Sequence, residues 1–142
     1  MSRYDKYNPV SGGFRVPLNA AWNATSGPAS VTDLSRILVV GVNGSGRAVK
    51  ATTVALASGI LILTGAKAAG DVVDVMTDGE VVEISGTDMQ SGTAPTAGQK
   101  LYLDTTASRL TSTAPGVGVN GFYVGQIIEA GRLVVRCGAV QL

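Results

Sequence analysis

The segment whose spacing most suggests chemistry is the glycine-rich stretch Gly41-Val-Asn-Gly-Ser-Gly46-Arg47-Ala48, which follows an apolar run. Phosphate-binding P-loops have this glycine spacing, but they add a lysine that reaches the terminal phosphates and a Ser or Thr hydroxyl that holds magnesium. Here Arg47 replaces that lysine and Ala48 replaces the hydroxyl. Because Asn43-Gly44 is also a strong hairpin signal, we expect a plain turn between two strands and no nucleotide site.

Carboxylates form a second candidate site. Acid–base catalysis needs two carboxylates in one cleft, and calcium takes carboxylate and carbonyl oxygens. The acidic candidates fall within one short stretch, at positions expected on a turn or an outer strand face: Asp71, Asp74, Asp78, Glu80 and Glu83. Their spacing matches no calcium-loop pattern. We therefore expect solvated strand charges, with a calcium site as the alternative.

Nucleophilic and transition-metal chemistry lack their usual residues. The 142-residue chain has no histidine and one cysteine, Cys137, which lies in an apolar run and is expected to be a small core or interface hydrophobe. No serine occupies a G-x-S-x-G elbow. Without a general base, a zinc framework or a disulfide pair, the sequence predicts a protein that is not an enzyme and needs no cofactor or metal.

Composition and charge restrict the classes of partner that the protein is expected to bind. Charged residues make up 15% of the chain, against about 25% in an average soluble domain, and 11 basic and 10 acidic residues are scattered to a net charge of +1. No basic strip could neutralise a phosphate backbone, so we expect no nucleic-acid partner. The longest apolar run is too short to span a membrane and the N-terminus is polar, so we expect synthesis in the cytoplasm and no membrane partner.

From residue 36 onward, short β-branched runs alternate with glycine. The runs are ILVVGV, RAVKATTV, GILILTG, GDVVDVMT, GEVVEIS, KLYLDT, RLTST, FYVGQIIE and GRLVVRCGAV. Frequent turn signals between such runs indicate an all-β fold, a small antiparallel β-barrel or sandwich. We predict one such domain over residues 31–142, in which only residues 51–57 favour a helical turn.

Turn dipeptides predict particular hairpins. Asp78-Gly79 accepts the positive φ angles of a type I′ turn and lies between two alternating runs. Such a hairpin would set Asp74 opposite Glu83, a repulsive pair that needs solvent, a basic side chain or a cation beside it. Its other face is expected in the core: Val73, Val75, Val82 and Ile84. Further hairpins are predicted between KLYLDT and RLTST and around Ala130-Gly131.

Residues 1–30 differ from the rest, because they contain three prolines and no periodic apolar pattern. They predict an extended N-terminal arm. The arm holds four of the seven aromatic residues together with two arginines, and both types are typical anchors of protein interfaces. We predict that the arm docks on another protein through Arg3, Tyr4, Tyr7, Phe14, Arg15 and Trp22. The alternative is that these aromatics plug one end of the protein's own core.

Three stretches of the second half follow a shared pattern: a strand pair, an "AG..LY.D" strand, and a glycine-led strand before a closing strand. They are Ala69-Gly-Asp-Val-Val-Asp-Val75 with Gly79-Glu-Val-Val-Glu-Ile84, Ala97-Gly-Gln-Lys-Leu-Tyr-Leu-Asp104 with Arg109-Leu-Thr111, and Val124-Gly-Gln-Ile-Ile128 with Arg132-Leu-Val-Val-Arg136. Through them residues 31–142 resemble the capsid decoration, or head-stabilising cement, proteins of tailed bacteriophages. The resemblance implies a homotrimer on the outer surface of an expanded head, cementing neighbouring major capsid subunits, with the arm touching the capsid or a neighbouring protomer.

A different class of protein is the alternative to this structural virion protein: an adhesin or fibre-type module that binds a host-surface glycan. Such a module is expected to carry aromatic residues on its exposed loops. The predicted loops at residues 87–99 and 114–120 contain none. The sequence therefore favours the decoration protein.

Overall fold

The computed structural model describes residues 12–22, 37–63, 67–106 and 108–142, and these form an all-β protein, as predicted. The strands are β1 (Gly12–Pro17), β2 (Ile37–Val42), β3 (Ala48–Lys50), β4 (Ala57–Ile62), β5 (Val72–Glu83), β6 (Lys100–Asp104), β7 (Arg109–Thr111), β8 (Asn120–Glu129) and β9 (Arg132–Gln141). Two single 3-10 turns, Val54–Leu56 and Gly86–Asp88, interrupt them. The first lies in the segment that favours a helical turn.

The strands form one antiparallel sheet that curls into a half-barrel. Their order is β3-β2-β4-β5-β9-β8-β6-β7, and β1 pairs with β5 beside this path. The hairpins β6–β7 and β8–β9 confirm two predicted turns. The glycine-rich segment is the β2–β3 turn, where the Oδ1 atom of Asn43 accepts hydrogen bonds from the backbone N–H groups of Ser45 (2.9 Å) and Arg47 (3.1 Å). It is the plain turn that the sequence favours.

Strand β2 is buried on both faces, and each face belongs to a different core. Ile37 and Val39 pack in the larger cluster, which fills the interior of the half-barrel with side chains from β4 to β9. Leu38 and Val40 pack in a smaller cluster on the other face of the sheet. The chain from β1 to residue 22 lies over this second face, and the smaller cluster also contains Val16, Leu18, Trp22, Leu61, Leu63, Val73 and Val75.

The prediction of a hairpin at Asp78-Gly79 is wrong, because β5 runs unbroken through this dipeptide. Gly79 does adopt a positive φ of 87°, but the register with β9 shifts between Asp78 and Val81, so the glycine forms a bulge. A bulge inverts the alternation of side chains as a two-residue turn does. The predicted core set is therefore buried all the same: Val73, Val75, Val82 and Ile84.

The repulsive carboxylate pair expected from that hairpin does not form. Asp74 lies opposite Arg15 of β1, with the Arg15 Nε and Asp74 Oδ1 atoms 2.8 Å apart. Glu83 lies opposite Arg132 of β9. Each carboxylate therefore lies opposite an arginine of a neighbouring strand and not opposite the other carboxylate.

Candidate interaction surface

The structure places the predicted docking residues in three different situations. Arg3, Tyr4 and Tyr7 lie outside the described residues. Trp22 is only 7% exposed and belongs to the smaller core cluster. Its backbone exchanges two hydrogen bonds with Lys67, of 2.8 and 2.7 Å, and the Nζ atom of Lys50 lies 5.9 Å from the centre of its ring. Trp22 thus packs in the protein's own core, as the alternative interpretation of the arm predicts.

Phe14 and Arg15 are exposed on β1. They point to opposite faces of the β1–β5 ribbon, because Phe14 lies opposite Val75 and Arg15 opposite Asp74. Within the described parts of the chain β1 pairs with β5 alone, and no described strand pairs with its other edge. Strand β1 therefore offers an aromatic ring, a guanidinium and a strand edge together.

A second surface, which the sequence interpretation missed, lies at the end of the molecule where β8 begins and β9 ends. Parts of three segments without a single charged side chain meet there: residues 51–63, 110–128 and 137–142. Together they line an open groove of about 580 Å³. We call it the apolar groove; its lining is Val54, Ala55, Ala57, Asn120, Gly121, Phe122, Ala139, Val140 and Gln141.

Beside the apolar groove the loop of residues 115–119 projects as an apolar tip. Val117 is 92% exposed and Val119 is 54% exposed. A turn closed by the backbone N–H of Val119 on the Gly116 carbonyl (2.9 Å) shapes the loop, and Gly118 donates to the carbonyl of Leu142 (2.6 Å). The tip and the groove together form what we call the charge-free pole. The signal for it was in the sequence, as the long gap between Arg109 and Glu129 without a charge.

Cys137 lies just before the part of β9 that lines the groove. Its Sγ atom is 3.9 Å from the carbonyl oxygen of Met76 and 3.8 Å from that of Val124. Burial, with a smaller effect from the negative charge of Asp78, raises the pKa of the thiol to about 12. The thiol is therefore protonated at neutral pH and packs against the larger core as a small hydrophobe.

Among residues 12–22, 37–63, 67–106 and 108–142, no three metal-ligating side chains come together in a way that could hold a metal ion. In the same parts of the chain, no helix has the length and apolar character needed to cross a membrane.

Comparisons with known proteins bear on the family and on the fold. The family model described as phage cement protein matches residues 34–138, well over half of the chain. Among solved structures, a chain from Mycobacterium phage Patience is similar, with a TM-score of 0.63 and 17% sequence identity over 99% of this chain and 97% of that chain. At this identity the likeness shows a common fold. No curated protein matches the sequence.

Proposed function

Because the chain belongs to the phage cement protein family, we propose that it binds the outer surface of an expanded phage head and holds neighbouring major capsid subunits together. The match over residues 34–138 carries this proposal, because it covers nearly all of the sheet from β2 to β9. The family is structural and non-enzymatic, and its members are components of the virion capsid. The task of this chain is then mechanical, and surfaces rather than a reactive centre perform it.

The capsid contact in this proposal is the N-terminal arm. Phe14 and Arg15 support it, because both are exposed and lie on a strand with one edge that no described strand covers. Arg3, Tyr4 and Tyr7 would extend the same contact from the chain before Gly12. Trp22 has a different role, because its buried side chain anchors the end of the arm to the domain. We further propose that the protein acts as a homotrimer, so that one particle presents three arms to the capsid.

The first test is co-sedimentation of the purified protein with expanded and unexpanded heads of its phage, with bound copies counted per capsid subunit. The proposal predicts saturable binding to expanded heads, near one copy per subunit, and none to unexpanded heads. Absence of binding to both forms would overturn it, and specific binding on a glycan array would then favour the adhesin alternative.

The arm is tested separately, with changes that spare the core. Removal of residues 2–11, or the double change Phe14→Ala with Arg15→Ala, is expected to weaken head binding at least tenfold. Arg132→Ala is the matched control, because Arg132 is also an exposed arginine in a surface ion pair, with Glu129 at 2.6 Å. Undiminished binding by both arm variants would remove the arm from the contact. Truncation beyond residue 11 is avoided, because Val16, Leu18 and Trp22 are core residues.

A further inference from the structure

We propose that the charge-free pole joins copies of this chain, with the apolar tip of one copy inserted into the apolar groove of the next. This inference deepens the self-association in the proposed function and rests on it. It assigns the contact to named residues and to a geometry, neither of which follows from the family match.

The apolar groove is a gap in the half-barrel that leaves inner-face side chains open to solvent. Phe122 of β8 and Ala139 of β9 are paired and so share the inner face. Phe122 is buried in the larger core, yet Ala139 is exposed. The reason is that β9 leaves β5 after Arg136, so in the described structure its last residues pair with β8 alone. The groove therefore exposes apolar side chains and one strand edge at once.

The chemistry of the groove restricts its occupant. None of its lining residues carries a charge, so a charged group inserted there would lose its hydration and gain no countercharge. The occupant must be apolar and uncharged over several residues. The apolar tip has these properties, because no charge occurs between Arg109 and Glu129 and its two valines project into solvent. Of the eight large hydrophobic side chains exposed in the described residues, Val117, Val119 and Leu142 cluster at this one place.

The position of the tip relative to the groove sets the symmetry. Asn120 follows the tip directly and already lines the groove, so the two are adjacent but distinct surfaces of one copy. A projection that enters a recess on the next copy makes a head-to-tail contact, and such a contact forms a ring where the rotation between copies closes. Because tip and groove are neighbours, both can lie near the ring axis. This is the arrangement that a homotrimer needs, and it covers the apolar surface before the protein meets a capsid.

The test measures the mass of the full-length protein in solution by size-exclusion chromatography with light scattering. Val117→Asp places a charge on the tip and Ala55→Glu places one in the groove. Each is expected to give monomers. Ile128→Asp is the matched control, because Ile128 is a 53% exposed aliphatic residue near the opposite end of β8. It is expected to keep the wild-type mass.

Mixing the two variants sharpens the test. Val117→Asp protein retains a normal groove, and Ala55→Glu protein retains a normal tip, so the mixture has one intact junction. We expect a heterodimer from the mixture and monomers from either variant alone. A mixture that stays monomeric, although both variants keep the wild-type thermal melting curve, would overturn the tip-in-groove geometry.

The outcomes also separate this inference from the proposed function. A wild-type protein that binds expanded heads but is monomeric in solution would overturn the inference and leave the cement role standing. A Val117→Asp protein that keeps its oligomer but no longer binds heads would also overturn it, because the pole would then be a capsid contact. Loss of the oligomer in Val117→Asp protein and in Ala55→Glu protein, with Ile128→Asp protein unchanged, is the supporting result.

Discussion

At the scale of single residues, the β8–β9 hairpin shows how close backbone approach fixes a side-chain size. A Cβ atom on Gly125 would lie 2.0 Å from the carbonyl oxygen of Val134, which belongs to the backbone and cannot turn away. A Cβ atom on Gly138, in the partner strand, would have no neighbouring atom within 4 Å. Two glycines of one hairpin therefore have opposite tolerance for a methyl group.

We predict that Gly125→Ala lowers the free energy of unfolding by about 2–3 kcal/mol, because the strands must move apart to admit the methyl group. Gly138→Ala is expected to be neutral or slightly stabilising, since alanine loses less backbone entropy than glycine on folding. Urea denaturation of the two variants beside the wild type measures both effects. Equal losses in the two variants would contradict the prediction.

The Cys137 thiol gives stability a pH dependence of known sign. Its pKa is raised to about 12 in the folded protein, whereas a thiol in an unfolded chain has a pKa of about 8.5. The folded state therefore holds the proton more tightly, and the stabilising effect is complete below the unfolded pKa. It declines as the pH rises from the unfolded toward the folded value.

We accordingly expect the wild type to lose stability relative to Cys137→Ala as the pH rises from about 8 to about 10. Denaturant unfolding of both proteins across this range measures the difference, and the comparison cancels the titration of other groups. A constant difference would show that the thiol is not held in its protonated form by burial.

At the scale of elements, a segment with a buried aspartate covers the edge of the sheet at β7, beside a buried arginine of that strand. Met89 forms a bridge with Leu110, and the N–H of Gln90 donates to the Leu110 carbonyl at 2.8 Å. Arg109 of β7 and Asp88 of the Gly86–Asp88 turn are both buried. Burial lowers the pKa of Arg109, and the negative charge of Asp88 offsets part of that effect. The guanidinium also donates to the carbonyl of Thr87, so one side chain fastens the covering segment to the strand.

We predict that Asp88→Asn costs about 3 kcal/mol of unfolding free energy, because it leaves the buried guanidinium uncompensated. The double change Asp88→Asn with Arg109→Met is expected to recover part of this loss. Asp74→Asn, which breaks the exposed pair with Arg15, is the control and should cost less than about 1 kcal/mol. Equilibrium unfolding in guanidinium chloride measures all three. A cost at Asp88 no larger than at Asp74 would contradict the prediction.

Turn dipeptides and short apolar runs predicted most of the strands, but they did not predict which strands pair. Asn43-Gly44 and Ala130-Gly131 each join strands that are adjacent in the chain, so the turn and the pairing coincide. Asp78-Gly79 carries the same kind of signal, yet β5 pairs there with β1 and β9, which lie far away in the sequence. A glycine with positive φ suits a turn and a bulge equally. Only distant strands decide between them.

The candidate surfaces were also predictable to different degrees, because contacts between segments far apart in the sequence decide which residues are exposed. Composition singled out Phe14, Arg15 and Trp22 together, but it could not separate exposed from buried members. Trp22 is buried because residues of β2 and β4 lie beneath it, and that contact is not local. The groove was missed because three segments far apart in the chain build it, although each segment lacks charge on its own.

At the scale of the whole molecule, neither the lining of the apolar groove nor the tip at residues 115–119 has a charged side chain. Association through the charge-free pole should therefore respond little to ionic strength, because screening acts on charges. We predict that the self-dissociation constant, measured by analytical ultracentrifugation, changes less than about threefold between 0.05 and 1 M NaCl. Sulfate, which strengthens apolar burial, should tighten association. Dissociation that rises tenfold with NaCl would point to ion pairs at the contact.

Strand β5 has a consequence for how the molecule carries load. It pairs with β1 over Val72–Asp78 and with β9 beyond the Gly79 bulge, so it contributes to both cores. A pull on the arm along the axis of β1 must break the six-residue pairing of β1 with β5 as a unit. The buried Trp22 side chain resists it further along the chain. In the proposed role, tension on the arm would pass through β5 into both cores of the half-barrel. A change that weakens β5 would therefore loosen the attachment of the arm and the packing of both cores at once.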